Sequence, residues 1–143
     1  MPYPNFIETA RCLDVRRLGK QRIEAAQILR TLGIEGVLLS PPQPKPLDKK
    51  QAWANHPAVR MWVGYEGCLK YYYNKVCQEW VRRGYQQNMG FFDIEPLEII
   101  WPSWLGNEDF HSRHRASLLY KNYEWYSQFG WTETPKIDYL WPR

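Results

Sequence analysis

Arg16-Arg17-Leu18-Gly19-Lys20-Gln21-Arg22-Ile23-Glu24 places four cations and one carboxylate in a single short run, and its periodicity decides what the surrounding chain becomes. Residues three, four and seven apart share a face of an α-helix, so Arg17, Lys20, Gln21, Glu24 and Gln27 fall on one stripe. Leu18, Ala25, Ile28, Leu29 and Leu32 fall on the opposite, apolar side. A charged stripe on such a helix is ordinarily its solvated face. Two details point further. Lys20 precedes Glu24 at i,i+4, the weaker order for helix support, and the stripe begins close to the amino terminus. A carboxylate ringed by cations suits a site that binds phosphate and moves a proton.

Working outward, the helical pattern reaches back to Phe6 or Ile7 and forward to Thr31, with Gly33 as its stop. Residues 36–50, with Pro41-Pro42-Gln43-Pro44-Lys45-Pro46, are too proline-dense for a helix or a central strand and read as a surface loop of polyproline character. A second helix is expected from Pro57 to Arg83, capped by Asn55 or His56, about 40 Å long at 1.5 Å per residue, with Gly64 and Gly67 able to bend it. The Pro- and Trp-rich stretch 91–105 reads as loop with at most a short strand near residues 97–100. A third helix starts at Asn107 or Asp109 and runs toward Gly130. The tail from Trp131 onward reads as extended chain packed on the body. No internal repeat occurs. The expected fold is all-α: one small domain over residues 1–143, with about three main helices and long Pro/Trp-rich loops.

Composition narrows the function. The chain has 143 residues, a net charge of +4 and a pI near 9, and no apolar run long enough to span a bilayer. Cys12, Cys68 and Cys77 form no C-x-x-C pair, so neither a disulfide framework nor a zinc site is expected. The start Met1-Pro2-Tyr3-Pro4 does not read as a signal sequence, and a cytoplasmic, monomeric protein is expected. From Arg11 to Arg30 there are six Arg or Lys against two acids. That concentration favours a polyanionic partner. Eight Trp and ten Tyr exceed what a small core requires, and exposed ones among basic residues would be stacking platforms for bases.

His111, His114 and Arg115 share a face of the third helix at i, i+3 and i+4. No H-E-x-x-H pattern or carboxylate cluster accompanies them, so phosphate or base contact is favoured over metal. His56 stands at a helix start, where the backbone N–H groups attract anions and where a histidine also serves simply as a cap. No P-loop, G-x-S-x-G or dinucleotide fingerprint is present. The amino terminus offers a different chemistry. With Met1 removed, the secondary amine of Pro2 would be far less protonated at neutral pH than a lysine, and competent to attack a sugar C1′. The alternative is that Pro2 and Pro4 only stiffen an arm.

The run Leu13-Asp14, Leu18, Arg22, Glu24, with Asn55-His56-Pro57 and Glu79-Trp80-Val81-Arg82-Arg83-Gly84-Tyr85, resembles the pyrimidine-dimer DNA glycosylases of the phage endonuclease V type. A related bacterial and phage branch is more similar still, on the phrases RLGKQR-x-E (17–24), WANHPAVRMW (53–62) and HR-x-x-LL-x-K (114–121). The resemblance extends over about residues 3 to 130. It implies an all-helical enzyme that needs no metal or other cofactor and acts on double-stranded DNA. Its terminal amine attacks C1′ of a damaged nucleotide, while a helix-borne glutamate assists base release and the later β-elimination. By position these are Pro2 and Glu24. Arg22, Lys20 and Gln21 would hold phosphates or the extruded nucleotide, and His56 would stand near the strand. Arg17, Arg60, His114, Arg115 and Lys121 complete the expected DNA-binding set. Two departures stand out. Pro2 replaces the threonine or other small residue of the family, and Ile23 replaces an arginine, which moves the cation to Arg22. With Met1 retained, its primary amine takes the place of Pro2. The expected function is therefore a DNA glycosylase with abasic-site lyase activity. The alternatives are an inert nucleic-acid-binding protein on the same scaffold, and an interaction protein using its aromatic surface.

Overall fold

The computed structural model describes residues 1–34 and 53–142. The expected polyproline loop lies outside the described residues. Among those residues the chain is all-helical, with six α-helices and no strand.

The first expected helix is two. α1 (Phe6–Cys12) opens on Asn5, whose Oδ1 accepts from the Glu8 N–H at 3.0 Å. Leu13 and Asp14 are extended, and α2 (Val15–Thr31) begins afresh. The break is held from the far end of the chain. Tyr126 donates its hydroxyl to Asp14 Oδ1 at 2.5 Å, and the same hydroxyl accepts from the Asp14 N–H at 3.1 Å. Buried Asp14 also pairs with Arg17 at 3.1 Å, so its burial is compensated. α2 buries Leu18, Ala25, Ala26, Ile28 and Leu29, and the charged stripe lies on the other side.

The second expected helix is also interrupted. α3 (Pro57–Arg60) is a single turn with His56 as its cap, Nδ1 accepting from the Ala58 N–H at 3.0 Å. Gly64 then takes φ +85°, where side chains other than glycine's are disfavoured, and the chain turns into α4 (Glu66–Arg82). α4 is therefore about 26 Å long rather than 40 Å. It packs across both α1 and α2. Gly19 of α2 lets the Trp80 ring approach: a Cβ there would lie 3.2 Å from it. The end of α4 is tied back by buried Glu79, which accepts from Arg82 and Arg83, while Arg83 also donates to the Ala10 and Arg11 carbonyls that end α1. The Glu79-to-Tyr85 phrase thus joins two helix ends.

Where loop with at most a short strand was expected near residues 97–100 there is a 3₁₀ turn, Pro96–Glu98. The preceding loop satisfies its backbone on α4 side chains instead of on a neighbouring strand. Asn74 donates to the Phe92 carbonyl at 2.8 Å and accepts from the Phe92 N–H at 3.0 Å, and Tyr73 donates to the Gly90 carbonyl at 2.8 Å. α5 (Glu108–Lys121) starts on Asn107 as the cap, and Asn122 re-caps the chain into α6 (Tyr123–Tyr126), which a 3₁₀ turn carries to Gly130 at φ +70°. The remaining tail is extended and packs on the body. Trp131 stacks on Tyr126 with ring centroids 5.5 Å apart and donates its indole N–H to the Tyr3 hydroxyl at 2.7 Å. Much of the aromatic content is core, including the fully buried Tyr73, Tyr126 and Phe110.

Candidate active site

The amino-terminal arm is placed by side chains of α1 and α5. Tyr3 exchanges two hydrogen bonds with Thr9: its N–H donates to Oγ1 at 3.2 Å and its carbonyl accepts from that hydroxyl at 2.9 Å. Arg115 donates to the Pro2 carbonyl at 2.8 Å and is itself held by Glu133 and Glu108. His111 Nδ1 lies 2.9 Å from the Met1 carbonyl, and its Nε2 accepts from the Gly106 N–H at 2.9 Å. With Nε2 accepting, the proton is on Nδ1, so this imidazole is neutral and donates to Met1. The Met1 amine lies 2.7 Å from His114 Nδ1. The three residues that share one face of the third helix therefore grip the first two residues of the chain.

The gripped end opens into a cavity of about 350 Å³. Met1 and Pro2 line it together with Arg17, Lys20, Gln21 and Glu24 of α2. His56 stands on a further wall, and His114 and Lys121 come from α5. Eight of the eleven residues expected from sequence thus share one space. Pro2 is buried, and its nitrogen is a peptide nitrogen in the chain as it stands, so the amine here is that of Met1. The other three lie elsewhere or face away. Arg22 stacks on Trp80 at 4.7 Å from the ring centroid and donates to Gln87 at 2.6 Å. Arg60 is exposed on α3 and is not in the cavity wall. Arg115 is buried and committed to the Pro2 carbonyl and its two glutamates.

Sequence reasoning missed the aromatic side of this space. Trp53, Tyr139 and Trp141 line it, with His56 between Trp53 and Trp141 at ring-centroid separations of 5.4 and 5.7 Å. Tyr139 accepts from Ser117 at 2.7 Å and from Lys121 at 2.6 Å, which fixes its ring across the wall. For Tyr139 and Trp141 the signal available was composition alone, three aromatics in the tail from Trp131.

Burial governs the electrostatics. It lowers the terminal amine from the ordinary 8.0 to about 4, a shift only partly opposed by Cys12 and Glu24. The amine is then neutral at pH 7, with a lone pair available to an electrophile. Burial raises the Glu24 carboxyl, offset in part by the terminal amine and by His56 and Lys121. Burial also holds His114 well below its usual value, helped by the nearby terminal amine. The space thus joins an uncharged amine, a carboxyl inclined to keep its proton and a set of cations on neighbouring walls. Such a group can form an imine with a sugar carbonyl while holding phosphate nearby. Among the described residues, no group of three or more His, Cys, Asp or Glu is placed to hold a metal ion.

No helix among the described residues is long and apolar enough to cross a membrane. No curated protein and no solved structure matches the chain. A family model for pyrimidine dimer DNA glycosylase matches residues 1–93, which carry α1 to α4, Glu24 and His56. That match takes in well over half of the 143 residues, and the chain belongs to the pyrimidine dimer DNA glycosylase family.

Proposed function

We propose that this protein excises a damaged or modified pyrimidine from double-stranded DNA and then cleaves the abasic site, with its terminal amine as nucleophile and Glu24 as the acid and base. The observation that carries this reading is that the amine and Glu24 line one cavity whose walls also bear Arg17, Lys20 and Lys121. The amine belongs to Met1 in the chain as it stands, and to Pro2 once Met1 is removed. Attack forms the N–C1′ bond as the C1′–base bond breaks, the electron pair leaving with the base. Glu24, whose carboxyl burial raises above its ordinary value, is the group that supplies the proton the sugar oxygen or departing base requires. As a carboxylate it later accepts the C2′ proton, whose removal expels the 3′ phosphate.

The lining cations offer contacts for the flanking phosphates, and the Trp53, His56 and Trp141 rings offer faces on which an extruded base can stack. Replacing Glu24 by Gln keeps the shape and removes the titrating group. Turnover of a lesion-bearing duplex is expected to fall by at least about 100-fold, with duplex affinity unchanged. Unaltered turnover in E24Q would sink the assignment and leave an inert DNA-binding scaffold as the better description.

A further inference from the structure

His114 has features that the Glu24 chemistry does not use. Its Nδ1 is the atom beside the terminal amine, at 2.7 Å, while its Nε2 is buried and finds no partner among the described residues. The ring is fixed from several sides. Phe110, from the preceding turn of α5, packs at 4.6 Å, Tyr139 at 5.1 Å and Trp141 at 6.1 Å between centroids. The titratable or charged groups around it are the terminal amine, His111 and Lys121, with Tyr139 from the tail and Glu24 across the cavity. His111 is spent on the Met1 carbonyl and Gly106, and Lys121 donates to Tyr139. Of these, His114 alone stands within hydrogen-bond distance of the amine.

We propose that His114 is a catalytic residue of this site, the base that takes the proton from the terminal amine as the amine bonds to C1′, and the acid that returns it to the leaving hydroxyl. The inference rests on the reading given above. At an abasic site the electrophile is the open-chain C1′ aldehyde. The amine lone pair forms N–C1′, and the carbonyl π pair moves to oxygen, which takes a proton from the Glu24 carboxyl. Nitrogen passes its extra proton to His114 Nδ1, leaving a neutral carbinolamine, a histidinium and the Glu24 carboxylate. His114 then protonates the hydroxyl, which departs as water while the nitrogen pair closes the C=N⁺ bond. Amine, aldehyde and protonated Glu24 become iminium, water and Glu24 carboxylate, with His114 unchanged. Its Nδ1, 2.7 Å from the amine nitrogen, is the atom placed to receive that proton without either residue moving.

The test is the single-turnover rate of borohydride-trapped adduct on a duplex carrying one abasic site. His114→Asn keeps an acceptor atom beside the amine but cannot carry the proton. Its trapping rate, read at saturating duplex so that any change in binding drops out, is expected to fall by about 100-fold or more. His114→Ala should fall likewise, and recover with added imidazole but not with pyrazole, which has the same ring shape and far weaker basicity. Trapping by H114N at the parent rate overturns the inference, as does equal recovery with pyrazole or no recovery with imidazole in an H114A protein that binds the duplex normally. Circular dichroism checks that each variant is folded, and H114N alone carries the test if H114A is not. A parent chain that forms no adduct removes the preceding reading as well, whereas a parent that traps beside an equally fast H114N removes only this inference.

Discussion

The amine beside His114 is uncharged at neutral pH because burial disfavours its cation. That has a direct consequence for rate. An exposed α-amine, with a pKa near 8, loses its nucleophilic form as pH falls below that value. Here the folded-state value is about 4, so the neutral form persists until pH approaches 4. The same shift bears on stability. The unfolded chain takes up a proton at its amine as pH falls through 8, whereas the folded chain does not until about 4, so stability is complete above pH 8 and declines toward pH 4. Thermal melting from pH 8 to pH 5 should show this loss, and N-terminal acetylation should flatten it. A melting temperature equally pH-dependent after acetylation would assign the loss to other groups. Arg22 carries a lesson at the same scale. Residues two apart on a helix do not face each other, so its separation from Glu24 was already implied by the spacing, although the family resemblance drew the two together.

Among the elements, the capped starts were legible and the breaks were not. Pro57 at the first position of α3, His56 before it, Asn107 before α5 and Gly130 at the far end act as local chemistry requires. The break at Leu13 and Asp14 has helical periodicity on both sides, and its stabilising partner, Tyr126, lies 112 residues away. No window of sequence contains that information. Tyr126→Phe keeps the ring and deletes the hydroxyl that serves buried Asp14. It should cost about 1–3 kcal/mol in urea denaturation, and a loss below 0.5 kcal/mol, roughly the effect of a surface change, would show that the junction does not depend on this bond. Gly67 reports on the next junction. A Cβ there would stand 2.4 Å from the Glu98 carbonyl oxygen, so Gly67→Ala must displace the 3₁₀ turn from α4. The expected cost is about 1–3 kcal/mol, as for other overpacked sites.

For the whole molecule, the site was legible in proportion to how much of it lies on periodic structure. Arg17, Lys20, Gln21 and Glu24 are found by helical spacing alone. His111, His114 and Arg115 were recognisable as one face, but what they face, the first two residues of the chain, comes only from the tertiary fold. Tyr139 and Trp141 reach the cavity from a tail without periodicity, where a sequence gives no direction to a side chain. Assembled this way, the cavity carries cations from two distant helices. Lys20→Ala and Lys121→Ala should each weaken duplex binding with little regard to sequence, and each should reduce the slope of log affinity against log salt by about 0.9. An unchanged slope would place the phosphates elsewhere.

The central claim is that the terminal amine attacks C1′. The most direct measurement is borohydride reduction of the unmodified protein with an abasic-site duplex, followed by mass spectrometric mapping of the adduct. The account predicts a covalent protein–DNA species attached at the amino terminus. A duplex that binds but gives no adduct, or an adduct on Lys20 or Lys121 instead, would contradict it.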